Sequence, residues 1–207
     1  MKIDKLPDFN NHNEKSYKAV VFDLDGTLYN QTKLRLKMAI RLGLYYAPRF
    51  YRIKELLVLK YFREVRDNWT GNDDELYKFI GDKKGVKPEY VEDVVRRWIY
   101  DNPLDLLISC RNEDLYSYID SLKEANIPVV IFSDYPISDK IKALGITPDG
   151  MYCPGDERGI ELKPSPMGLE LIMKDYGLEA SELLMVGDRD IKDGEAARLA
   201  GVDYFIL

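Results

Sequence analysis

Two aspartates separated by one residue end an apolar stretch near the start of the chain. Asp23 and Asp25 follow the apolar run 20–22, and Gly26 and Thr27 come directly after them. Side chains alternate along an extended chain, so both carboxylates are expected to project to the same side. Close carboxylates repel each other unless a cation binds them or one holds a proton. Both remedies suit phosphoryl transfer, in which an aspartate attacks phosphorus and Mg²⁺ bridges its carboxylate to the phosphoryl oxygens.

Other polar residues follow later apolar runs in the same way. Ser133 comes directly after the run 128–132, and Asp188 and Asp193 follow the run 183–186. A serine hydroxyl at such a position can bind an anion or cap a helix. Aspartates and glycines are also ordinary turn formers, so any one of these loops alone is compatible with a purely structural role.

One lysine stands in an unusually stiff setting. Lys163 lies in Lys-Pro-Ser-Pro, just before a predicted helix that ends near Tyr176. A positive charge fixed by two prolines could offset the charge of a phosphorylated aspartate. A surface lysine in a turn is the structural alternative.

The elements that carry these residues alternate between apolar runs and amphipathic helices. Residues 18–32 and 106–207 are predicted to form an α/β core, a Rossmann-like parallel sheet with helices on both faces. In such sheets ligands bind beyond the carboxyl ends of the strands. Every polar group singled out above follows a strand or opens a helix at that end.

A helical insertion separates the first predicted strand from the rest of the core. Apolar residues at spacings of three and four predict helices through most of residues 33–105, with a break near Pro48. Because the insertion begins just after the first acidic loop, we expect it to form a cap that overhangs the site. Residues 1–17 are a polar leader without periodicity, expected to be loosely ordered.

The charge of the insertion differs from that of the whole chain. The net charge is −6, yet residues 33–66 contain ten basic and only two acidic residues, a local charge of +8 that leaves −14 elsewhere. A charged run of this kind is compatible with a solvated helical face or with a field that attracts anionic substrates. Aromatic residues are interleaved with the basic ones, a pattern found in helix cores and also in nucleic-acid binding.

Composition excludes several classes of protein. With 45% hydrophobic and 32% charged residues the sequence resembles a soluble globular protein, and no apolar run approaches the roughly 20 residues of a membrane span. No signal peptide is apparent, so a cytoplasmic location is expected. Cys110 and Cys153 share no metal-like spacing and are predicted to be free thiols. The only histidine, His12, lies in the leader, which argues against histidine-based catalysis.

Together the four polar segments resemble the motifs of the haloacid dehalogenase (HAD) superfamily, in the expected order from Lys18 to Leu207. The first motif, Asp-x-Asp-x-Thr, reads Asp-Leu-Asp-Gly-Thr here. The resemblance implies a nucleophile, a general acid and base, two phosphate-binding residues and Mg²⁺. The implied catalytic residues are Asp23 and Asp25, the phosphate-binding residues Ser133 and Lys163, and the metal ligands Asp23, Asp25, Asp188 and Asp193. In this scheme Asp25 carries the proton, and Asp193 binds the metal through water or orients Lys163.

The helical insertion is similar to the cap of the phosphoglycolate phosphatase-like and β-phosphoglucomutase-like branch. Asp25 counts against dehalogenation, because superfamily members that cleave carbon–halogen bonds lack this acid. The sequence departs from the usual pattern at Asp134, where a neutral residue is common, and at Asn30, where many capped members have Asp. A phosphonate hydrolase would need a cap lysine that forms a Schiff base. Lys33 and Lys37 are candidates by position, but no matching motif surrounds them.

The resulting expectation is a Mg²⁺-dependent phosphatase that hydrolyses a small phosphate monoester through an aspartyl-phosphate. A phosphosugar mutase keeps the same motifs and stays open as an alternative. So does a catalytically weak protein whose basic cap binds a polyanion or a membrane surface. We expect a small-molecule substrate and do not expect a nucleic-acid partner. The sequence leaves the oligomeric state open.

Overall fold

A computed structural model describes residues 1–7, 16–66, 69, 71–155 and 158–207. His12 lies outside the described residues. The chain divides into two compact units, one formed by Met1–Thr32 with Leu107–Leu207 and the other by Lys33–Leu106. The sequence placed the corresponding boundaries at 32/33 and 105/106.

The first unit is built on a five-stranded sheet in which every neighbouring pair is parallel. Its order is β3-β2-β1-β4-β5. The strands are β1 Ala19–Phe22, β2 Val129–Phe132, β3 Gly150–Tyr152, β4 Leu183–Gly187 and β5 Asp203–Ile206. This sheet, with its interleaved helices, confirms the predicted α/β class.

Helices connect the strands and make up most of the second unit. They are α1 Gln31–Tyr46, α2 Ile53–Arg66, α3 Asp73–Lys84, α4 Pro88–Val95, α5 Leu104–Leu107, α6 Glu113–Glu124, α7 Ser138–Leu144, α8 Met167–Tyr176 and α9 Glu195–Ala200. Shorter helical turns occupy Ala47–Arg52, Arg96–Asp101, Ile108–Cys110, Ala180–Glu182 and Asp190–Gly194.

The central strands are fully buried, and their register places their carboxyl ends at one level. All residues of β1, β2 and β4 are buried, which is why these strands read as continuous apolar runs. Phe22 is paired with Ile131 on one side and with Val186 on the other. The residues that follow these three strands therefore leave the sheet at the same edge, which is the edge where ligands bind in such folds.

The helical unit is interrupted where the sequence predicted a break. Pro48 lies in the 3-10 turn Ala47–Arg52, between α1 and α2. Asn72 caps the start of α3 in a reciprocal arrangement with Glu75, and Gly85 ends that helix in the left-handed region. Inside the unit the buried carboxylate of Glu55 accepts hydrogen bonds from Tyr46 and Arg52.

The leader is more ordered at its ends than the sequence indicated. Ile3 N–H donates to the Tyr204 carbonyl over 2.9 Å, Tyr204 N–H donates to the Met1 carbonyl over 3.0 Å, and the Tyr17 hydroxyl donates to Asp203 over 2.8 Å. The expectation of a loosely ordered leader was wrong for these residues, because the free edge of β5 offers backbone partners. Residues 8–15 lie outside the described residues. Among the described residues, no helix combines the length and apolar content that a membrane span requires.

Two glycine substitutions test how tightly the sheet is packed. Gly168 is buried in α8, and a Cβ there would overlap the Phe132 ring, whereas a Cβ at Gly43 in α1 meets nothing within 4 Å. We expect Gly168→Ala to destabilise the protein by about 1–3 kcal/mol through overpacking. Gly43→Ala should stabilise it by up to about 1 kcal/mol, since alanine is the better helix former. Urea unfolding of both variants checks the pair, and equal stabilities would contradict the packing at Phe132.

Candidate active site

The loop after β1 approaches the loop after β4 closely because of one glycine. Gly26 has a φ of +111°, a region that side-chain-bearing residues rarely adopt. A Cβ at Gly26 would also collide with the carboxylate of Asp188. The glycine of the first motif therefore lets the two acidic loops meet.

Lys163 lies at the centre of the site and is almost completely buried, with 1% of its surface exposed. Its Nζ lies 2.5 Å from Asp23 Oδ1 and 2.6 Å from Asp193 Oδ1. The other oxygen of Asp193 accepts hydrogen bonds from the backbone N–H groups of Asp188 and Arg189, over 3.2 and 3.0 Å. Asp193 thus contacts Lys163 and closes its own loop, and both roles that the sequence left open for it stay predictions.

Asp134 anchors the backbone of the lysine loop. Its Oδ1 accepts the backbone N–H of Lys163 over 2.9 Å, while its Oδ2 lies 3.5 Å from Lys192 and 3.7 Å from Arg189. The sequence marked Asp134 as a departure from the usual pattern, in which a neutral residue is common at this position. In the structure the carboxylate of Asp134 links the end of β2 to the backbone of the lysine loop and lies near two cationic side chains.

Three carboxylates form a group that could hold a metal ion. Asp23, Asp188 and Asp193 each offer an oxygen atom, and these atoms all lie within 4.8 Å of one another. Asp188 Oδ1 is buried and accepts no hydrogen bond. Carboxylate oxygens are the hard donors that Mg²⁺ prefers, and a cation would satisfy this orphaned atom. The residues therefore fit a magnesium site.

The pKa shifts of the carboxylates in this group also favour the binding of a cation. Burial raises the pKa of Asp23 to about 7, and the neighbouring Asp193 and Asp25 add to the effect while Lys163 opposes it. Burial, followed by Asp193, also raises the pKa of Asp188. Burial alone would lower the pKa of Lys163, but Asp23, Asp193 and Asp134 raise it above its usual value. Lys163 is thus a fixed cation, and the carboxylates around it are short of positive charge.

Asp25 lies in a different environment from Asp23. Its Oδ1 accepts hydrogen bonds from the Tyr29 hydroxyl and from Lys140 Nζ, the latter over 2.5 Å, and Ser133 Oγ donates to its Oδ2 over 3.3 Å. The carboxylate of Asp25 is not part of the three-carboxylate group. Three donors thus surround the carboxylate of Asp25, and the predicted role of Asp25 as a metal ligand stays a prediction.

Sequence reasoning missed two residues that touch the paired aspartates. Lys140 lies on α7, seven residues beyond Ser133, and no motif marks it. Tyr29 also escaped notice, although it stands only four residues after Asp25. Thr27, which belongs to the first motif, donates its hydroxyl hydrogen to Asp23 Oδ2 over 3.0 Å and so fixes the carboxylate opposite Lys163.

A polar cavity of about 480 Å³ adjoins the acidic group within the first unit. Gly26 and Asp188 line it on the side of the site, and Asn30, Gln31, Thr32 and Asn112 add amide and hydroxyl groups. Asn30, one of the departures from the usual pattern, therefore faces this cavity. The lining suits a small ligand that carries hydrogen-bonding groups.

Solved structures share this fold at low sequence identity. The candidate HAD-hydrolase YfnB from Bacillus subtilis, solved with bound magnesium, is 15% identical, with a TM-score of 0.63 over 93% of this chain and 89% of that chain. A candidate β-phosphoglucomutase from Thermotoga maritima is 17% identical, with a TM-score of 0.60 over 92% and 85% of the two chains. A predicted phosphoglycolate phosphatase from Haemophilus somnus is 19% identical, with a TM-score of 0.57 over 91% and 84%. At these identities the likeness concerns the fold.

The family of the chain follows from its sequence as a whole. A search of curated proteins returned no significant match. The family model that describes haloacid dehalogenase-like hydrolases matches residues 17–201 and so spans β1 to β4, the four motifs and the helical unit. The chain belongs to the haloacid dehalogenase-like hydrolases.

Proposed function

We propose that this hydrolase is a Mg²⁺-dependent phosphatase that acts on a small phosphate monoester through an aspartyl-phosphate. The observation that carries the proposal is that the carboxylates of Asp23 and Asp25 contact different sets of side chains. Asp23 lies against a buried lysine and the metal-compatible group, whereas Asp25 is held by a separate set of donors. A nucleophile and an acid–base group need such different surroundings.

Asp23 is the proposed nucleophile. Lys163 and Thr27 each hold one of its oxygens, which restricts the rotation of the carboxylate before attack. When the oxygen attacks phosphorus, Lys163 stays charged and stabilises the negative charge of the phosphorylated residue. Bound Mg²⁺ would supply further charge stabilisation at the phosphoryl oxygens, with Asp23 and Asp188 as its proposed ligands.

Asp25 is the proposed general acid and base. Ser133 joins it to the end of β2, and Lys140 approaches it from α7. In the first step Asp25 would give a proton to the leaving oxygen, and in the second it would take one from the attacking water. Ser133 is well placed to exchange its hydrogen bond with Asp25 for one to a phosphoryl oxygen.

Charge counting supports the need for a divalent cation. Ionised Asp23, Asp188 and Asp193 carry three negative charges, and Lys163 offsets one of them. The remaining two match the charge of one Mg²⁺. Without this ion the group would repel a phosphate dianion, so the resting charge of the site depends on the metal.

The polar cavity and the helical unit bear on the substrate. Amide and hydroxyl groups beside Asp188 suit an alcohol leaving group with further hydroxyls. We propose that the unit Lys33–Leu106 acts as the cap that selects this group and excludes water.

The same cavity would suit a phosphosugar mutase, which would return the phosphoryl group to a second hydroxyl instead of to water. Measuring phosphate release against sugar-phosphate isomerisation separates the two reactions.

Replacing the nucleophile tests the first role. We expect Asp23→Asn to lower phosphate release from any accepted monoester by at least about 10³-fold, because no aspartyl-phosphate can form. Asp190→Asn is the matched control, since Asp190 lies in the same acidic segment but is half-exposed and pairs with Arg198 over 3.1 Å. Equal rates for Asp23→Asn and the wild type over a broad panel of monoesters with Mg²⁺ would contradict the assignment.

The raised pKa of Asp23 predicts that Mg²⁺ stabilises the protein more as the pH rises. Its folded-state pKa of about 7 exceeds the ordinary pKa of an aspartate carboxyl, so the metal-free protein loses stability as the pH rises through the interval between the two. Mg²⁺ binds the deprotonated carboxylates, so it should restore the stability that the metal-free protein loses as the pH rises. Thermal unfolding should therefore show a larger Mg²⁺-induced rise in Tm at about pH 8 than at about pH 5.5. Asp188→Asn should abolish the rise while Asp190→Asn keeps it, and a rise independent of pH would count against the site.

Lys140 is proposed as a positioning residue for Asp25. We expect Lys140→Met to lower kcat about tenfold with KM and Tm little changed, a smaller loss than removal of the acid–base group itself. Lys140→Arg should recover part of the rate because it restores a cationic donor. The control is Lys142→Met, an exposed lysine on the same helix. If the variants at 140 and 142 behave alike, Lys140 has no part in catalysis.

A further inference from the structure

The helix α1 is apolar on two sides. Leu34 and Met38 are buried on its inner side, as expected for an amphipathic helix. Leu36, Ile40 and Leu44, spaced four residues apart, form a second apolar row that is more than half exposed at every position. A helix that is apolar on both sides normally has both sides covered. We therefore expect the second apolar row of α1 to contact a binding partner.

Further exposed apolar residues follow α1 in the sequence. In the turn that joins α1 to α2, Phe50 is 80% exposed and Tyr51 is 72% exposed. Ile53 and Leu57, one helical turn apart on α2, are also more than half exposed. We call the exposed apolar residues of 36–57 the outer row. Its seven large apolar side chains within 22 residues are a concentration typical of interaction surfaces.

The longer stretch 33–66, which contains the outer row, is basic, and its two acidic residues are paired within it. Glu55 is buried against Tyr46 and Arg52, and Glu64 lies 3.8 Å from Lys60. Arg35 and Lys54 are exposed, and among the described residues neither makes a hydrogen bond or ion pair with another side chain. Outward-facing positive charge thus accompanies the outer row.

A third exposed cation lies on α2. Arg63 is exposed, and among the described residues it makes no hydrogen bond or ion pair with another side chain. An exposed guanidinium can donate hydrogen bonds to an anion. Together with Arg35 and Lys54 it adds charge complementarity toward an anionic partner to the exposed apolar residues described above.

Three kinds of occupant can be compared. A second copy of the chain, docked symmetrically, would bring the same basic residues against each other. A nucleic acid would use the cations and the aromatic rings but would leave the leucines and isoleucines in water. An anionic bilayer accommodates all of them, since aliphatic and aromatic side chains enter the interface while arginine and lysine contact the headgroups.

We propose that the outer row of residues 36–57, with Arg35, Lys54 and Arg63, docks the protein onto the surface of an anionic phospholipid bilayer. The apolar side chains enter the headgroup boundary, and the cations contact lipid phosphates. This proposal stands independently of the proposed phosphatase activity, because it involves none of the residues of the acidic site.

Vesicle flotation with the full chain tests the proposal. Vesicles of phosphatidylcholine alone are compared with vesicles that contain phosphatidylglycerol. We expect at least about tenfold tighter binding to the anionic vesicles, weakening as salt is added. Leu44→Ser/Phe50→Ser and Arg35→Glu/Lys54→Glu should each reduce the binding by about tenfold or more.

Matched controls change other exposed residues of the same kinds. Leu199→Ser/Ile108→Ser removes two exposed apolar side chains of the first unit, and Lys123→Glu/Lys174→Glu reverses two exposed lysines there. Both should bind vesicles as the wild type does. All variants should keep their Tm, and vesicle binding is measured without substrate, so a failure of the docking proposal is distinguishable from a failure of the proposed activity.

Three outcomes would overturn the proposal. The first is absence of vesicle binding by a folded protein, or binding that the controls reduce as much as the outer-row variants do. The second is salt-sensitive binding of RNA without binding of vesicles, which would assign the surface to nucleic acid. The third is a dimer in light scattering that Leu44→Ser/Phe50→Ser dissociates, which would assign the surface to a second copy.

Discussion

The site depends on one buried ammonium group. Lys163 is tolerated in the interior only because Asp23 and Asp193 lie within hydrogen-bonding distance on either side, since an unpaired buried charge is very costly. These carboxylates come from the segments that follow β1 and β4. Asp134, after β2, holds the backbone of Lys163 itself. A single buried lysine therefore ties together the segments that follow three neighbouring strands, and the excess of carboxylates around it fits the proposed Mg²⁺.

Much of this arrangement was predictable because parallel strands have a simple sequence pattern. Continuous apolar runs predicted buried strands, and polar residues after each run predicted an edge at which they meet. The register of β1 with β2 and β4 places these ends at one level, which the sequence alone did not specify. The contact between Lys140 and Asp25 was not predictable in the same way. It depends on how α7 is rotated relative to the sheet, and a lysine on a short helix carries no signal of that rotation.

The different surroundings of Asp23 and Asp25 have a physical origin in the backbone. Alternation along an extended chain predicted that both carboxylates would project to the same side. The strand ends at Phe22, and the chain then turns at Gly26 with a positive φ. Asp25 makes a bridge with Tyr29, so it already belongs to the turn. Two identical side chains two residues apart thus receive different partners, and that difference suits the separate tasks of nucleophile and acid–base group.

The two units follow different sequence constraints. In the first unit, the polar residues at the strand ends are matched to one another by charge, and the family motifs lie among them. In the helical unit, helix formation requires only that one side of each helix be apolar, so the second apolar row of α1 is not explained by folding. Exposed leucine, isoleucine and phenylalanine impose a risk of aggregation that a purely structural helix would avoid. Arg35 and Lys54 accompany them and make no hydrogen bond or ion pair with another side chain among the described residues, which favours the proposed docking surface; the chemistry of that surface is independent of the reaction proposed for the first unit.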